Sequence, residues 1–478
     1  IPLYTRAKEL VTKTGFTGNN PYSAYPRKER IKFTIQVKDD VTGTYVPKTA
    51  YLDMIQVRRI ENPKGVWRSA GNSDNFHVTL MRLPYDDAED FKPFNSEGAW
   101  SATIVEGGDD FITLRSTVEG SGSDNAQQTG VKSIEGAGEH PIDFWIDFKG
   151  TIAENSTPRC AIVRVRYHNY TCEHDIYVRQ GYAPITIDGN AESDKNPAWA
   201  SYNVYRFDAN NAPVYTKSPL EEGSLFRRGN RTAILASNND RPGFTFGLGP
   251  SGSFDVLELG ATTPSQKTWS QLAPSADDVK SRFASWSIAG DHERIATIED
   301  FYTLESTSIH SNIGKAYGVL YGDGATETQK SVEVALGYDH NEDPTNSKKG
   351  MRGCFVFNIN NSHNIFFPIG KSGYGRRKGM TSNGEKVGAL RYAQRTDYYN
   401  NDGTGNIQYV PLFYDLFERP GAIYQCRNRL SSTGSDVKKS SAFDINYFTM
   451  GFEGFENGAS NNSDGSDSDA CFIRTVKY

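Results

Sequence analysis

Cysteine and methionine are scarce, with five of each in 478 residues. So few cysteines cannot form a disulfide framework at this length, and their odd number leaves at least one thiol unpaired within the chain. Long apolar runs are missing as well. No stretch approaches the ~20 residues of a membrane-spanning helix. No long Ala/Leu/Glu/Lys run exists, which excludes a helical bundle or coiled coil. Neither sign of charge dominates: 52 Lys and Arg stand against 58 Asp and Glu, a net of −6. That balance excludes binding to nucleic acid or an anionic membrane through overall charge. A leading Met and a signal peptide are also missing, so a processed or trimmed product is expected.

What is present is glycine (45), proline (21), tyrosine (26) and phenylalanine (26). This is the profile of a strand-rich, loop-rich protein whose core is aromatic and β-branched. At about 150 residues per domain the length suggests about three domains, or two large ones. Charge is uneven along the chain. Residues 1–60 carry 11 Lys and Arg against 5 Asp and Glu, a local +6, so the remainder carries −12. Residues 1–30 form a basic N-terminal arm in this reading. It is either a solvated segment or a processing or docking segment for a partner subunit.

Residues 31–185 read as successive short strands separated by Gly/Ser/Asn/Asp clusters. Val163, Val165 and Tyr167 alternate with Arg164 and Arg166, so one face is apolar and the other basic. Many short strands with turn signals predict a β-sandwich. The sequence Phe76-His-Val, Gly98-Ala-Trp100, Asp109–Leu114, Arg159–Val165 and Ile176–Gly181 resembles a BACON domain. That resemblance implies an immunoglobulin-like sandwich of the kind found in surface and secreted proteins of Bacteroidetes. It also implies a spacer or a carbohydrate-binding role.

Residues 186–478 follow a different grammar, with more Gly and Asn. Helices are expected at Ser275–Ala284 and Thr297–Leu304, the second opened by a capping-box pair, Thr297 and Asp300. The segments Gly223–Gly229, Arg294–Phe301, Ile365–Gly370, Gly421–Tyr424 and Ala470–Lys477 resemble the Fibrobacter succinogenes major paralogous domain. That family is related to C-type-lectin-like and formylglycine-generating folds. The sequence departs from its pattern at Ala296, at Tyr424-Gln425 and at Cys471. The expected fold class is therefore mainly β with some α: an immunoglobulin-like, BACON-like sandwich, then an α+β C-type-lectin-like domain.

Formylglycine chemistry needs a reactive or copper-binding cysteine pair. Cys354, Cys426 and Cys471 lie instead in strand-like runs and are expected in the core, so the chain is expected not to be an enzyme. His168, Cys172 and His174 offer zinc-type ligands, but no second ligand pair follows, and a hairpin turn is the simpler reading. No Walker motif, nucleophile elbow or HExxH occurs.

Two acidic, amide-rich loops are the candidate binding segments: Asp397–Asn406 and Asn457–Asp469. The first is preferred, with Tyr398, Tyr399, Asn400, Asn401, Asp402 and Asn406 as candidate ligand-binding residues, and Tyr392 and Tyr409 as further ring faces. No cofactor is expected; Ca²⁺, which takes about six to eight oxygen ligands, is the one candidate ion. Neither loop fits EF-hand spacing.

The tandem of sandwich and lectin-like domain resembles fimbrial tip or accessory adhesins of Bacteroidales type. This implies a fimbrium or outer-membrane surface location. The implied partners are other fimbrial subunits and a host or microbial surface glycan or protein, with no nucleic acid. A secreted or surface carbohydrate-binding protein for glycan capture shares the architecture. Strand Cys471–Lys477 is expected to complete its own domain rather than a neighbour's. Alanine at Tyr398, Tyr399 and Asp402 is expected to weaken ligand or host binding without unfolding the protein; unchanged binding overturns the loop as the site.

Overall fold

The computed structural model describes residues 27–56, 60–82, 92–108, 110–117, 128–138, 141–210, 212–221, 223–227, 231, 233–235, 253–256, 265–268, 292–305, 311–325, 334–335, 350–368, 394–399, 407–411, 421–427, 440–446, 450–455 and 470–478. The chain is mainly β. Among the described residues the one α-helix is Ile298–Tyr302, where Thr297 and Asp300 form the expected capping box. The helix expected at Ser275–Ala284 lies outside the described residues. So do residues 1–26 of the basic arm, whose last four residues, Arg27–Arg30, already belong to a strand.

Strands Arg159–Tyr167 and Cys172–Gln180 form a hairpin with nine registered pairs. Val163, Val165 and Tyr167 are buried and Arg164 and Arg166 face outward, as the alternation requires. Trp100–Gly107 and Ser133–Gly136 extend this sheet. A second sheet holds Phe76–Thr79, Asp143–Phe148 and Ile112–Ser116. The two sheets bury one apolar cluster that includes Trp100, Phe144, Ile146, Val163 and Val178.

The larger sheet does not stop at residue 185. Strand Gly65–Arg68 pairs in parallel with Cys172–Gln180 on one side. On its other side it pairs in parallel with Ile313–Tyr321. Beyond lie Gly350–Asn358 and its neighbours Asn364–Pro368 and Val334–Ala335, which completes nine strands. One sheet therefore crosses the division drawn at 185/186. Its outer face carries a second core in which Trp67, Ile162 and Tyr177 pack with Leu320, Phe355 and Phe366. Gly65 is required here, because a Cβ at that position would lie 2.4 Å from the Phe355 ring.

Three arginines are fully buried along this junction: Arg68, Arg179 and Arg474. Each spends its donors mainly on main-chain carbonyls. Arg68 donates to Gly322 at 2.6 Å and Ala325 at 2.8 Å. Arg179 donates to Gly181 at 2.9 Å, Asn364 at 2.8 Å, Ala183 at 2.7 Å and the Ser201 hydroxyl at 2.8 Å. Its guanidinium also lies 4.6 Å from the centre of the Trp67 ring. Arg474 donates to Asn203 and Ala200 at 2.8 Å and to Phe366 at 3.0 Å. Burial lowers the pKa of all three from the usual arginine value.

The C-terminal strand Thr475–Lys477 lies between Ala198–Trp199 and Glu293–Ile295, in the middle of a three-stranded sheet of its own segment. At the other end of the chain, Arg27–Lys38 and Tyr45–Gln56 form a two-stranded ribbon of twelve registered pairs. Its apolar side chains Ile35, Val41, Tyr45 and Tyr51 are exposed.

Replacing Arg179 with Met should destabilise the protein by at least about 3 kcal/mol, since each buried acceptor left without a donor costs ~1–3 kcal/mol. Urea unfolding followed by tryptophan fluorescence checks this; a midpoint equal to the wild type would show that the guanidinium is dispensable.

Candidate functional site

A cleft of about 640 Å³ opens where the first sheet pair meets the later segment. Three chain turns build its walls. Ser69–Gly71 follows directly on strand Gly65–Arg68. Tyr182 and Ala183 follow Gly181, which turns the chain with φ +98° after strand Cys172–Gln180. Ser201 and Tyr202 follow strand Ala198–Trp199. Arg179 holds the carbonyls of Gly181 and Ala183 and the Ser201 hydroxyl, so two of these turns are fixed from behind by one guanidinium.

Tyr182 and Tyr202 meet edge to face, with ring centres 5.6 Å apart and an angle of 85°. The Tyr182 ring rests at 6.3 Å from Trp67. Its hydroxyl is buried and has no hydrogen-bond partner. Burial raises the pKa of both phenols, most strongly for Tyr182, so both keep their protons at ordinary pH.

Glu293 and Lys477 face each other across paired strands on another wall. The Glu293 carboxylate accepts hydrogen bonds from the Tyr215 and Thr475 hydroxyls. Burial raises its pKa, while Thr475 and Lys477 act in the opposite direction. Glu154 and Asn155 add an exposed carboxylate and amide at the rim. The cleft thus combines two flat rings at a right angle with groups that both donate and accept hydrogen bonds.

Of the six sequence-predicted site residues, Tyr398 and Tyr399 are among the described residues. Tyr398 and Tyr399 are in strand Gln394–Tyr399, registered against Gln408 and Ile407 of strand Ile407–Pro411. The chain is therefore still in a strand where a loop was expected to have begun. Asn400, Asn401, Asp402 and Asn406 lie outside the described residues, as do Tyr392 and Asn457–Asp469. Tyr409 is in strand Ile407–Pro411. Among the described residues, no group of three or more His, Cys, Asp or Glu is placed to hold a metal ion.

His168 and His174 are parts of a hairpin rather than a zinc site. His168, Asn169 and Tyr170 turn the chain with φ of 52°, 56° and 63°. The His168 Nδ1 accepts the Glu97 N–H at 2.8 Å, and the His174 Nε2 donates to the Pro63 carbonyl at 2.7 Å. Both imidazoles are buried, where exposed polar residues were expected. Burial holds His174 well below its usual pKa, so it is neutral. Cys354 is a buried free thiol, pushed up to about 12 by burial, and Cys426 is buried too, as their strands suggested.

The Arg294–Phe301 motif also has a structural task. Arg294 clamps Asp300 through two bonds of 3.0 and 2.7 Å, while Asp300 accepts the Thr297 N–H at 2.8 Å. Sequence reasoning missed Tyr182, Tyr202, Tyr215 and Glu293. They come from four separate stretches and share no spacing. The only local signal was aromatic residues just beyond strand ends, at Gly181-Tyr182 and Ser201-Tyr202.

Glu221 sits near this wall, is buried, and raises the pKa of Tyr202. Burial lifts its own pKa to about 7 from an ordinary 4.5, and the Lys217 N–H only partly offsets this. The folded state then holds a proton that the unfolded chain has released, so stability falls as pH rises from about 4.5 to about 7. Glu221→Gln should leave the urea midpoint nearly unchanged at pH 4.5 and raise it above wild type at pH 8. Compared with protein-family models and with curated proteins, the chain matches none.

Proposed function

We propose that the protein is a non-catalytic cell-surface adhesin, a fimbrial tip or accessory subunit that mediates cell adhesion through the Tyr182/Tyr202 cleft. The observation that carries this reading is the cleft itself. It is open, its aromatic corner is fixed from behind by Arg179, and its most buried carboxylate, Glu293, already accepts two hydroxyl donors. Such a surface is built to hold a ligand, not to move protons.

The finer fold belongs to the same proposal. It is an immunoglobulin-like, BACON-like sandwich followed by an α+β, C-type-lectin-like segment, supported by the motif resemblances and by a sheet pair with a shared core. A further support is the C-terminal strand, which occupies a central place in its own segment's sheet and so is engaged within this chain. In this reading the protein is exported, meets other fimbrial subunits, and contacts a surface glycan or protein.

Beads coated with the full chain should adhere to target cells. Tyr202→Ala should reduce adhesion by at least about fivefold, on the scale of ~1 kcal/mol for one lost aromatic contact. Absence of wild-type adhesion overturns the adhesin reading; wild-type adhesion that Tyr202→Ala leaves unchanged moves the contact away from this cleft.

A further inference from the structure

The adhesin reading leaves the ligand open between glycan and protein. Resting on that reading for the use of the cleft, the geometry points to an uncharged saccharide as the ligand, seated in the corner formed by Tyr182 and Tyr202.

Four observations converge on this chemistry. The rings stand at 85° with centres 5.6 Å apart, which offers one flat face and one ring edge to the same small object. A pyranose fits such a corner: its C–H face is apolar and its rim carries hydroxyls. The polar groups of the cleft mix donors and acceptors, as a polyol requires: Ser201 and Asn155 beside Glu293 and Lys477.

The charges decide against an anionic ligand. Among the described lining residues, Glu154 and Glu293 stand against one ammonium, Lys477, so a sugar acid meets a net negative wall. The corner is also rigid. Arg179 fixes the Ala183 carbonyl and the Ser201 hydroxyl at 2.7 and 2.8 Å, so little ordering is needed on binding.

The test uses the fluorescently labelled full chain on a glycan array of neutral hexose and N-acetylhexosamine oligosaccharides with their sialylated counterparts. The strongest binder is then titrated calorimetrically, with and without EDTA. Neutral glycans should bind better than their sialylated forms, and EDTA should have no effect. Tyr202→Ala should weaken binding at least tenfold. The circular dichroism spectrum of this variant should match wild type. Binding of sialylated glycans alone overturns the proposal. So does neutral-glycan binding that is lost in EDTA and insensitive to Tyr202→Ala, which would return the site to the Asp397–Asn406 segment. Cell adhesion that survives glycosidase treatment of the cells but not protease treatment overturns the saccharide and leaves the adhesin reading intact.

Discussion

A guanidinium sealed from water must place its N–H donors on acceptors inside the protein. In this chain three such groups, Arg68, Arg179 and Arg474, do so mostly with main-chain carbonyls rather than carboxylates. Carbonyls are fixed in space by the backbone, so each arginine pins several chain segments at once. Arg68 reaches from the first sandwich strands to Gly322 and Ala325, and Arg179 to Asn364 and Ser201. The shared nine-stranded sheet, the two cores on its faces and the cleft at its end all depend on these acceptors staying in place.

The cleft follows from that arrangement. Its tyrosines lie just past strand ends, where the backbone is free to leave the sheet. Without a brace such turns would sample many shapes. The same Arg179 that joins the segments supplies the brace, and Trp67 backs the Tyr182 ring while its indole N–H is held by Asn364 at 2.8 Å. Stability and recognition therefore share residues, and Arg179 acts on the cleft only through the groups it positions.

What could be read from the sequence was what repeats at short range. The alternation of Val163, Val165 and Tyr167 with Arg164 and Arg166 fixes a half-buried strand. Thr297 and Asp300 mark a helix start because capping is a contact three residues apart. Gly65–Arg68 carries no such signal, for the opposite reason. All four residues are buried, so no polar face alternates with an apolar one. The cleft was equally hidden, since Tyr202 and Glu293 meet only after the sheet has formed. The Arg294 motif was visible, and its meaning is structural: it locks Asp300 at the helix start. The acidic loop drew attention by composition, which reports ligand types without reporting geometry.

The position of strand Gly65–Arg68 also sets an order of events during synthesis. Its partner Cys172–Gln180 emerges within the first part of the chain, but its other neighbour, Ile313–Tyr321, follows some two hundred and fifty residues later, with Tyr321 opposite Val66. Until then one edge of the strand and the apolar side of Trp67 have no cover. Contacts of such sequence separation slow folding and leave an edge open to wrong pairing.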